Sequence, residues 1–195
     1  VFVQPAALIR GLADTLPENV WLMENNPVQS IAGSGPYRIR TGHGEFQADS
    51  LILANNAYAR RLGFLRSRLI TIYTYAGFTP VLSPAQQAML GDRDQWGVIP
   101  ANRLGTTLRR IRGGRFMVRS AYSYEAEQPM ARMNQLLRDA FQRRYPELGA
   151  YDFEYVWGGT TALTGNGASF VGQVQPGVYA SVGCNGPGVI KGTIY

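Results

Sequence analysis

The chain has 195 residues, of which 45% are hydrophobic and 16% charged, a balance that excludes disorder as its overall state. The net charge is +6, and all but one of the 19 basic residues are arginines. No apolar run approaches the roughly 18 residues that a membrane-spanning helix needs. The only cysteine, Cys184, cannot form an internal disulfide, so we expect a reducing, cytoplasmic location.

Metal and hydrolase chemistry find little support in the sequence. One cysteine and one histidine, His43, cannot supply a Cys/His metal site, and any serine or cysteine triad would need His43 as its base. His43 lies in TGHGEF, which predicts the solvated tip of a hairpin. We therefore predict no metal site.

The first part of the chain predicts a helix followed by strands. In PAALIRGLADTL, Pro5 suits a first helical turn, and Leu8, Leu12 and Leu16 share one face. The following segments predict strands: VWLME, PVQSIAG, the hairpin YRIRTGHGEFQA and the continuous apolar run SLILAN. We expect SLILAN to be buried on both faces.

The middle of the chain changes character. LITIYTYAGFTPVL is long and rich in β-branched and aromatic residues, and TTLRRIRGG and RFMVRSAYSY flank a glycine turn. An amphipathic helix follows at 129–148, ended at Pro146, and FEYVWGG predicts a strand in which Trp157 enters a glycine turn. These elements predict an α+β fold with an antiparallel sheet in the middle, and the first and last parts are candidates for one interrupted domain.

The last segment joins the strands of SFVGQVQPGVYASVG, which turn at Pro176-Gly177, to the loop GCNGPGVIKG. The glycines at 183, 186 and 188 remove β-carbons, and the start of the following helix offers unpaired N–H groups. A phosphate or the carbonyl edge of a flat heterocycle fits such a loop, and a tight strand-to-helix turn is the structural alternative. GxGxxG and GxxxxGK[ST] are both absent.

A set of segments extends in order along nearly the whole chain: QPAALIRGLA, NPVQSI, SLILANNAYARRL, RRIRGGRFMVRSAYSYE, RYPELGAYDFEYVWGG and GVYASVGCNGPGVIKGT. Their order and spacing together resemble the FAD-dependent amine and amino-acid oxidoreductases, the family of glycine oxidase, sarcosine oxidase and D-amino-acid oxidase. The branch that contains gamma-glutamylputrescine oxidoreductase is the most similar.

This resemblance implies an antiparallel-sheet substrate domain interleaved with part of an FAD-binding α/β domain. Residues 1–68 and 165–195 would belong to the FAD-binding domain, and residues 69–164 to the substrate domain. The family holds the FAD pyrophosphate on an N-terminal βαβ unit with GxGxxG. We therefore expect the chain to be a fragment that is inactive alone and whose partner is the missing N-terminal part of the same protein.

The resemblance also implies FAD contacts for individual residues, from the adenine through the phosphate and ribityl region to the pyrimidine edge of the flavin. These residues are Val28, Ala54, Asn55, Trp157, Gly159, Gly186, Pro187, Gly188, Val189 and Ile190. Simpler alternatives exist for some of these residues. Val28 would be an ordinary strand valine, and Ala54 and Asn55 would end a strand whose following helix is capped by Asn56. Trp157 would be a core tryptophan.

Two positions depart from the family pattern. Pro187 stands where many relatives have His or Arg, and it lacks an N–H donor. Ser169 stands where relatives usually carry proline. Lys191 does not align cleanly with the family's carboxylate-binding residue, and several tyrosines are candidates to line a substrate pocket or simply a sheet face: Tyr73, Tyr75, Tyr122 and Tyr124.

The implied reaction is oxidation of a small-molecule amine or amino acid by hydride transfer to FAD, for which we identify no catalytic acid or base. One alternative is an inactive remnant that kept the fold without its cofactor. Another is an arginine-rich nucleic-acid-binding domain, since Arg109, Arg110, Arg112, Arg115 and Arg119 crowd one segment. We predict no nucleic-acid partner, because no recognised binding motif accompanies the charge.

Overall fold

The computed structural model describes residues 3–102, 104–149 and 151–194. Val1, Phe2, Arg103, Ala150 and Tyr195 fall within the predicted domain ranges but lie outside the described residues. The helices are α1 (Pro5–Asp14), α2 (Pro84–Met89), α3 (Met130–Arg144) and α4 (Gly188–Ile194), with 3-10 turns at Asn56–Arg60 and Pro146–Leu148. The strands are β1 (Val28–Ala32), β2 (Tyr37–Thr41), β3 (Gly44–Ala48), β4 (Leu51–Leu53), β5 (Leu69–Phe78), β6 (Trp96–Val98), β7 (Thr107–Ile111), β8 (Arg115–Tyr124), β9 (Tyr155–Thr164), β10 (Phe170–Gln175) and β11 (Val178–Val182).

The chain divides into two compact units. Unit 1 combines Val1–Leu69 with Thr164–Tyr195, and unit 2 is the continuous segment Ile70–Leu163. Helices together with mainly antiparallel sheets confirm the predicted α+β class. The assignment of an FAD-binding and a substrate domain to particular residues stays a prediction. Among the described residues, no helix combines the length and apolar character needed to cross a bilayer.

Unit 1 contains two three-stranded sheets, β1-β2-β3 and β10-β11-β4. In the second sheet, β11 runs antiparallel to β10 but parallel to β4. The buried Tyr37 of the first sheet donates its hydroxyl to the carbonyl of Pro176, in the turn before β11. The N–H of Leu51 donates to the carbonyl of Gly177 over 2.8 Å, so residues far apart in sequence meet at this turn.

Two sequence predictions for unit 1 are wrong. SLILAN is not buried on both faces, because among the described strands β4 has a neighbour on one side only and its Ile52 is 77% exposed. VWLME forms no strand, and Trp21 within it is 83% exposed. Both segments have an apolar pattern suited to a sheet interior, but a pattern cannot show whether a neighbouring strand is there to pair with them.

Unit 2 contains a five-stranded sheet in the order β6-β7-β8-β5-β9, with α3 packed on β8. The buried residues of α3 are Met133, Leu137 and Phe141, a spacing of four that puts them on one helix face. The ring of the fully buried Phe116 lies 5.7 Å from that of Phe141 and 5.4 Å from that of Trp96. The core of unit 2 therefore lies between α3 and one face of its sheet.

The predicted glycine turn after Trp157 is also wrong, because β9 continues through Gly158 and Gly159 to Thr164. A β-carbon at Gly158 would lie 2.8 Å from the ring of the buried Tyr75. Glycine therefore occurs here because the two strands pack closely, although a glycine pair also commonly marks a turn.

Candidate functional site

The glycine loop lies at the carboxyl ends of two adjacent parallel strands. Because β4 pairs in parallel with β11, Ala54 and Gly183 leave the sheet at the same edge. Gly183 has φ +72°, and a β-carbon there would lie 2.6 Å from Cγ2 of Thr164. Only glycine therefore fits this first position of the loop. Ligands of parallel sheets commonly bind outside such strand ends.

The side chain of Asn56 holds the start of this loop. Its Oδ1 accepts hydrogen bonds from the N–H groups of Gly183 over 3.0 Å and Cys184 over 3.4 Å. Its Nδ2 donates to Sγ of Cys184 over 3.3 Å. Asn56 itself has φ +51°, a left-handed conformation that asparagine tolerates better than most residues. The interpretation of Asn56 as a helix cap is wrong, since Asn55 occupies the cap position without a side-chain cap bond.

A second asparagine fixes the middle of the loop. Asn185 Oδ1 accepts the N–H of Thr164 over 3.0 Å, and its Nδ2 donates to the carbonyl of Gly183 over 2.6 Å. That carbonyl also accepts the hydroxyl of Ser169 over 3.1 Å, and Ser169 in turn accepts Nζ of Lys191 over 2.9 Å. Lys191, a candidate ligand residue by sequence, therefore has a structural contact here.

The outer side of the loop is open. Gly186 is exposed with φ +104°, and no atom lies within 4 Å of the position its β-carbon would take. In the described part of the chain, no acceptor receives the N–H groups of Gly188, Val189 and Ile190. Pro187 has no N–H, and its carbonyl accepts the N–H of Lys191 over 3.1 Å. The loop therefore fits the acceptor-bearing edge of a flat ligand, with three donors free.

The structure brings some of the predicted cofactor residues together. Ala54 is exposed and Asn55 half-buried at the end of β4, next to the loop in the sheet. Asn55 Oδ1 is a buried acceptor for which the described residues provide no donor. Val28 lies on the other sheet of unit 1 and is 41% exposed, and Trp157 and Gly159 lie on β9 in unit 2. Their predicted FAD contacts stay predictions.

A cavity of about 340 Å³ lies in unit 1, next to the end of β11 from which the loop continues. Its wall combines apolar groups with hydroxyl and guanidinium groups, and its lining includes Arg68, Leu69, Thr164, Ser169, Phe170 and Val182. Its size is at the small end of the range for ligand pockets. Ser169 belongs both to this wall and to the hydrogen bonds that hold the loop.

The arginine-rich segment is mostly engaged within unit 2. Arg110 is only 8% exposed and donates to the carbonyl of Gly91 over 2.5 Å. Arg112 pairs with Asp94, and Arg115 pairs with Glu154 through two hydrogen bonds. The contacts of Arg110 and Arg115 favour structural roles over phosphate contacts, because a nucleic-acid surface needs its arginines directed at solvent, whereas Arg112 is exposed.

Sequence reasoning missed the positioning roles of Asn56 and Asn185. The local sequence signal was an asparagine shortly after a predicted strand, and in the structure both asparagines adopt positive φ, 51° and 53°. Asparagine is enriched among non-glycine residues in that conformation and hydrogen-bonds neighbouring backbone. Asn56 reaches its partners because β4 and β11 pair in parallel, and Asn185 reaches Thr164 at the end of β9, so no local pattern shows either long-range contact.

Several solved structures resemble this fold. Glycine oxidase from Geobacillus kaustophilus is 19% identical, with a TM-score of 0.61 over 84% of this chain and 44% of that chain. L-proline dehydrogenase from P. horikoshii is 16% identical, with a TM-score of 0.61 over 86% of this chain and 48% of that one. Fructosyl amine: oxygen oxidoreductase (Amadoriase I) from Aspergillus fumigatus is 15% identical, with a TM-score of 0.65 over 84% and 42%.

At these identities the likeness concerns the fold. The chain spans less than half the length of each of these structures. No curated protein sequence matches the chain. The model of the family described as FAD dependent oxidoreductase matches residues 1–194. Because that match covers almost the whole sequence, the chain belongs to the FAD dependent oxidoreductase family.

Proposed function

We propose that the protein oxidises a small amine or amino acid and that the glycine loop of this chain holds the flavin part of FAD. The geometry of the loop carries the proposal. It lies at the carboxyl ends of β4 and β11, lacks a β-carbon at Gly186, and presents three N–H groups without acceptors among the described residues.

The residues of the chain would act by binding and orienting. N–H groups of Gly188, Val189 and Ile190 would donate to the acceptor edge of the flavin and stabilise negative charge there. Pro187 supplies no donor, so one hydrogen bond offered by a typical residue at this position is absent. FAD, when bound, supplies the hydride acceptor. Asn56 would keep the donors in place through Gly183 and Cys184.

Titration of the purified full chain with FAD tests this assignment, with flavin fluorescence as the readout. In Gly186→Ala, a methyl group would enter the open side of the loop, where φ is +104°. We expect FAD binding to weaken about tenfold, the equivalent of about one lost hydrogen bond. The family match supports the choice of FAD as the ligand. The fluorescence readout reports binding and does not require turnover.

Gly91→Ala is the matched control. Gly91 is also exposed, has φ +88° and has open space around its β-carbon position, but it lies in unit 2. It carries the same backbone strain and should leave FAD affinity unchanged. Equal FAD affinity of the two variants would reject the loop as the flavin contact. A wild-type chain that takes up no FAD would favour the fragment or the inactive-remnant alternative over a chain that binds FAD by itself.

A further inference from the structure

The cavity in unit 1 has an apolar inner wall and opens to solvent at its edge. All of its lining residues belong to unit 1. Leu69 and Val182 form part of the inner wall, since both are buried. Ser67, Arg68 and Ala168 are exposed lining residues, so the opening lies beside them. A small molecule can therefore enter from solvent and place an apolar part against the buried side chains.

Two cations adjoin this cavity without a carboxylate partner. Arg68 belongs to the lining, and Lys191 places its Nζ 2.9 Å from Oγ of Ser169, another lining residue. Among the described residues, neither cation pairs with a carboxylate, and the lining contains no acidic side chain. Lys191 is half-buried, and a partly desolvated ammonium group without an anion is unfavourable. The charge at this cavity is therefore suited to an anion.

A neutral donor is fixed at the same edge of the cavity. The N–H of Gly167 donates to the carbonyl of Thr164 over 3.1 Å, which closes a turn. Within that turn Asn166, a lining residue, accepts the N–H of Ala168 with its Oδ1 over 3.1 Å. Its Nδ2 has no acceptor among the described residues. The wall therefore offers an amide donor in addition to the two cations, which suits an anionic group with several oxygens.

The cavity and the glycine loop share a connecting residue but not their free donors. The lining includes none of the residues 186–190, to which we assign the flavin contacts. Ser169 connects the two regions, because its hydroxyl donates to the carbonyl of Gly183 over 3.1 Å and accepts the ammonium group of Lys191. A ligand in the cavity would therefore occupy a site of its own beside the loop.

We propose that this cavity binds a small phosphate monoester, with Arg68 and Lys191 as the contacts of its phosphate group. A phosphate monoester carries close to two negative charges at neutral pH, which matches the two cations. Its three terminal oxygens accept hydrogen bonds from several donors at once, whereas a carboxylate has two oxygens and a single charge. The apolar part of the wall, which includes Leu69 and Phe170, contacts the organic part of the ligand.

Phenyl phosphate and phenyl sulfate test the role of charge, because they have nearly the same shape. At pH 8 phenyl phosphate is a dianion, whereas phenyl sulfate is a monoanion. Calorimetry on the purified full chain measures the affinity of each. We expect the wild type to prefer phenyl phosphate by about tenfold, the effect of one additional charge-assisted contact. A wild type that binds neither compound, or binds both equally, overturns the proposal.

Substitution of each cation tests which residues make the contact. Arg68→Gln should weaken the binding of phenyl phosphate about tenfold, and it should fold because this side chain is exposed. Lys191→Gln retains a donor for Ser169 and removes the charge, so a similar loss is expected. Arg66→Gln is the matched control, since Arg66 is also exposed but does not line the cavity. Unchanged affinity in both cation variants, or an equal loss in the control, overturns the proposal.

A repeat of the titration with saturating FAD separates this site from the flavin site. Phenyl phosphate should bind with unchanged affinity, because the cavity and the loop do not share free donors. Displacement of phenyl phosphate by FAD would mean that the cavity holds a phosphate of FAD itself, which overturns the proposal of a separate site. A chain that binds phenyl phosphate but takes up no FAD supports this inference and counts only against the proposed function, whereas the reverse result refutes only this inference.

Discussion

A single side chain, that of Asn56, connects the edge of one strand to the loop that follows another. It occupies a left-handed backbone position and its amide replaces the partners that Gly183 and Cys184 lack in the loop. The local sequence ANNAY predicts only a strand end and a possible cap. The long-range contact becomes visible once β4 and β11 are known to pair, so sequence could predict the loop but not what positions it.

Replacing Asn56 separates the contribution of its side-chain hydrogen bonds to stability from that of its left-handed backbone conformation. Asn56→Ala removes the hydrogen bonds and places alanine at φ +51°, so the free energy of unfolding should fall by about 2–3 kcal/mol. Asn56→Gly removes the same bonds without the backbone strain and should cost about 1–2 kcal/mol. Urea denaturation measures both values. Equal losses in the two variants would show that the left-handed conformation contributes nothing to the effect.

At the scale of elements, most helices and strands follow the sequence pattern, and the exceptions have physical causes. α1, α3 and the hairpins β2–β3, β7–β8 and β10–β11 lie where apolar periodicity and glycine turns predict them. α2 was missed although Ser83 and Gln86 form a capping box, a motif visible in SPAQQ. VWLME and the β9 glycines were misjudged, since strand pairing and close packing depend on neighbours.

A bulge in β8, at which Ala121 has no partner on β5, gives an element-scale prediction. Ala121→Gly relieves the left-handed strain at φ +59° and should raise the free energy of unfolding by about 0.5–1 kcal/mol. Ala162→Gly, a fully buried position in the regular strand β9, should lower it by about 1 kcal/mol. Thermal unfolding of the two variants beside the wild type provides the comparison. A loss of stability in both would mean that Ala121 is not strained.

At the scale of the whole molecule, the two units differ in whether one continuous segment of the chain or two separate segments form them. The core of unit 2 is formed entirely from residues within Ile70–Leu163, a continuous segment. Unit 1 depends on pairing between β4 and β11, which belong to its two separate segments. The sequence suggested an interrupted arrangement, because the apolar runs SLILAN and VYASV lie before and after the long strands, rich in β-branched and aromatic residues, of the middle segment.

This difference predicts that residues 70–163, produced alone, unfold cooperatively on heating. Residues 1–69 alone should lack such a transition, because β4 would lose its only sheet neighbour among the described strands and Tyr37 its contact with Pro176. Circular dichroism against temperature distinguishes the cases. A cooperative transition for 1–69, or its absence for 70–163, would contradict the assigned units.

The parallel pairing of β4 with β11 also bears on the order of events during synthesis. The ribosome makes β4 long before β11, and all of unit 2 is translated in between. Unit 2 can therefore fold before β11 has been synthesised, while the apolar strand β4 is still unpaired. Closing so long a loop is slow compared with local pairing. The nascent chain consequently carries an exposed strand edge from the synthesis of β4 until that of β11, a period in which a chaperone would have the most to protect.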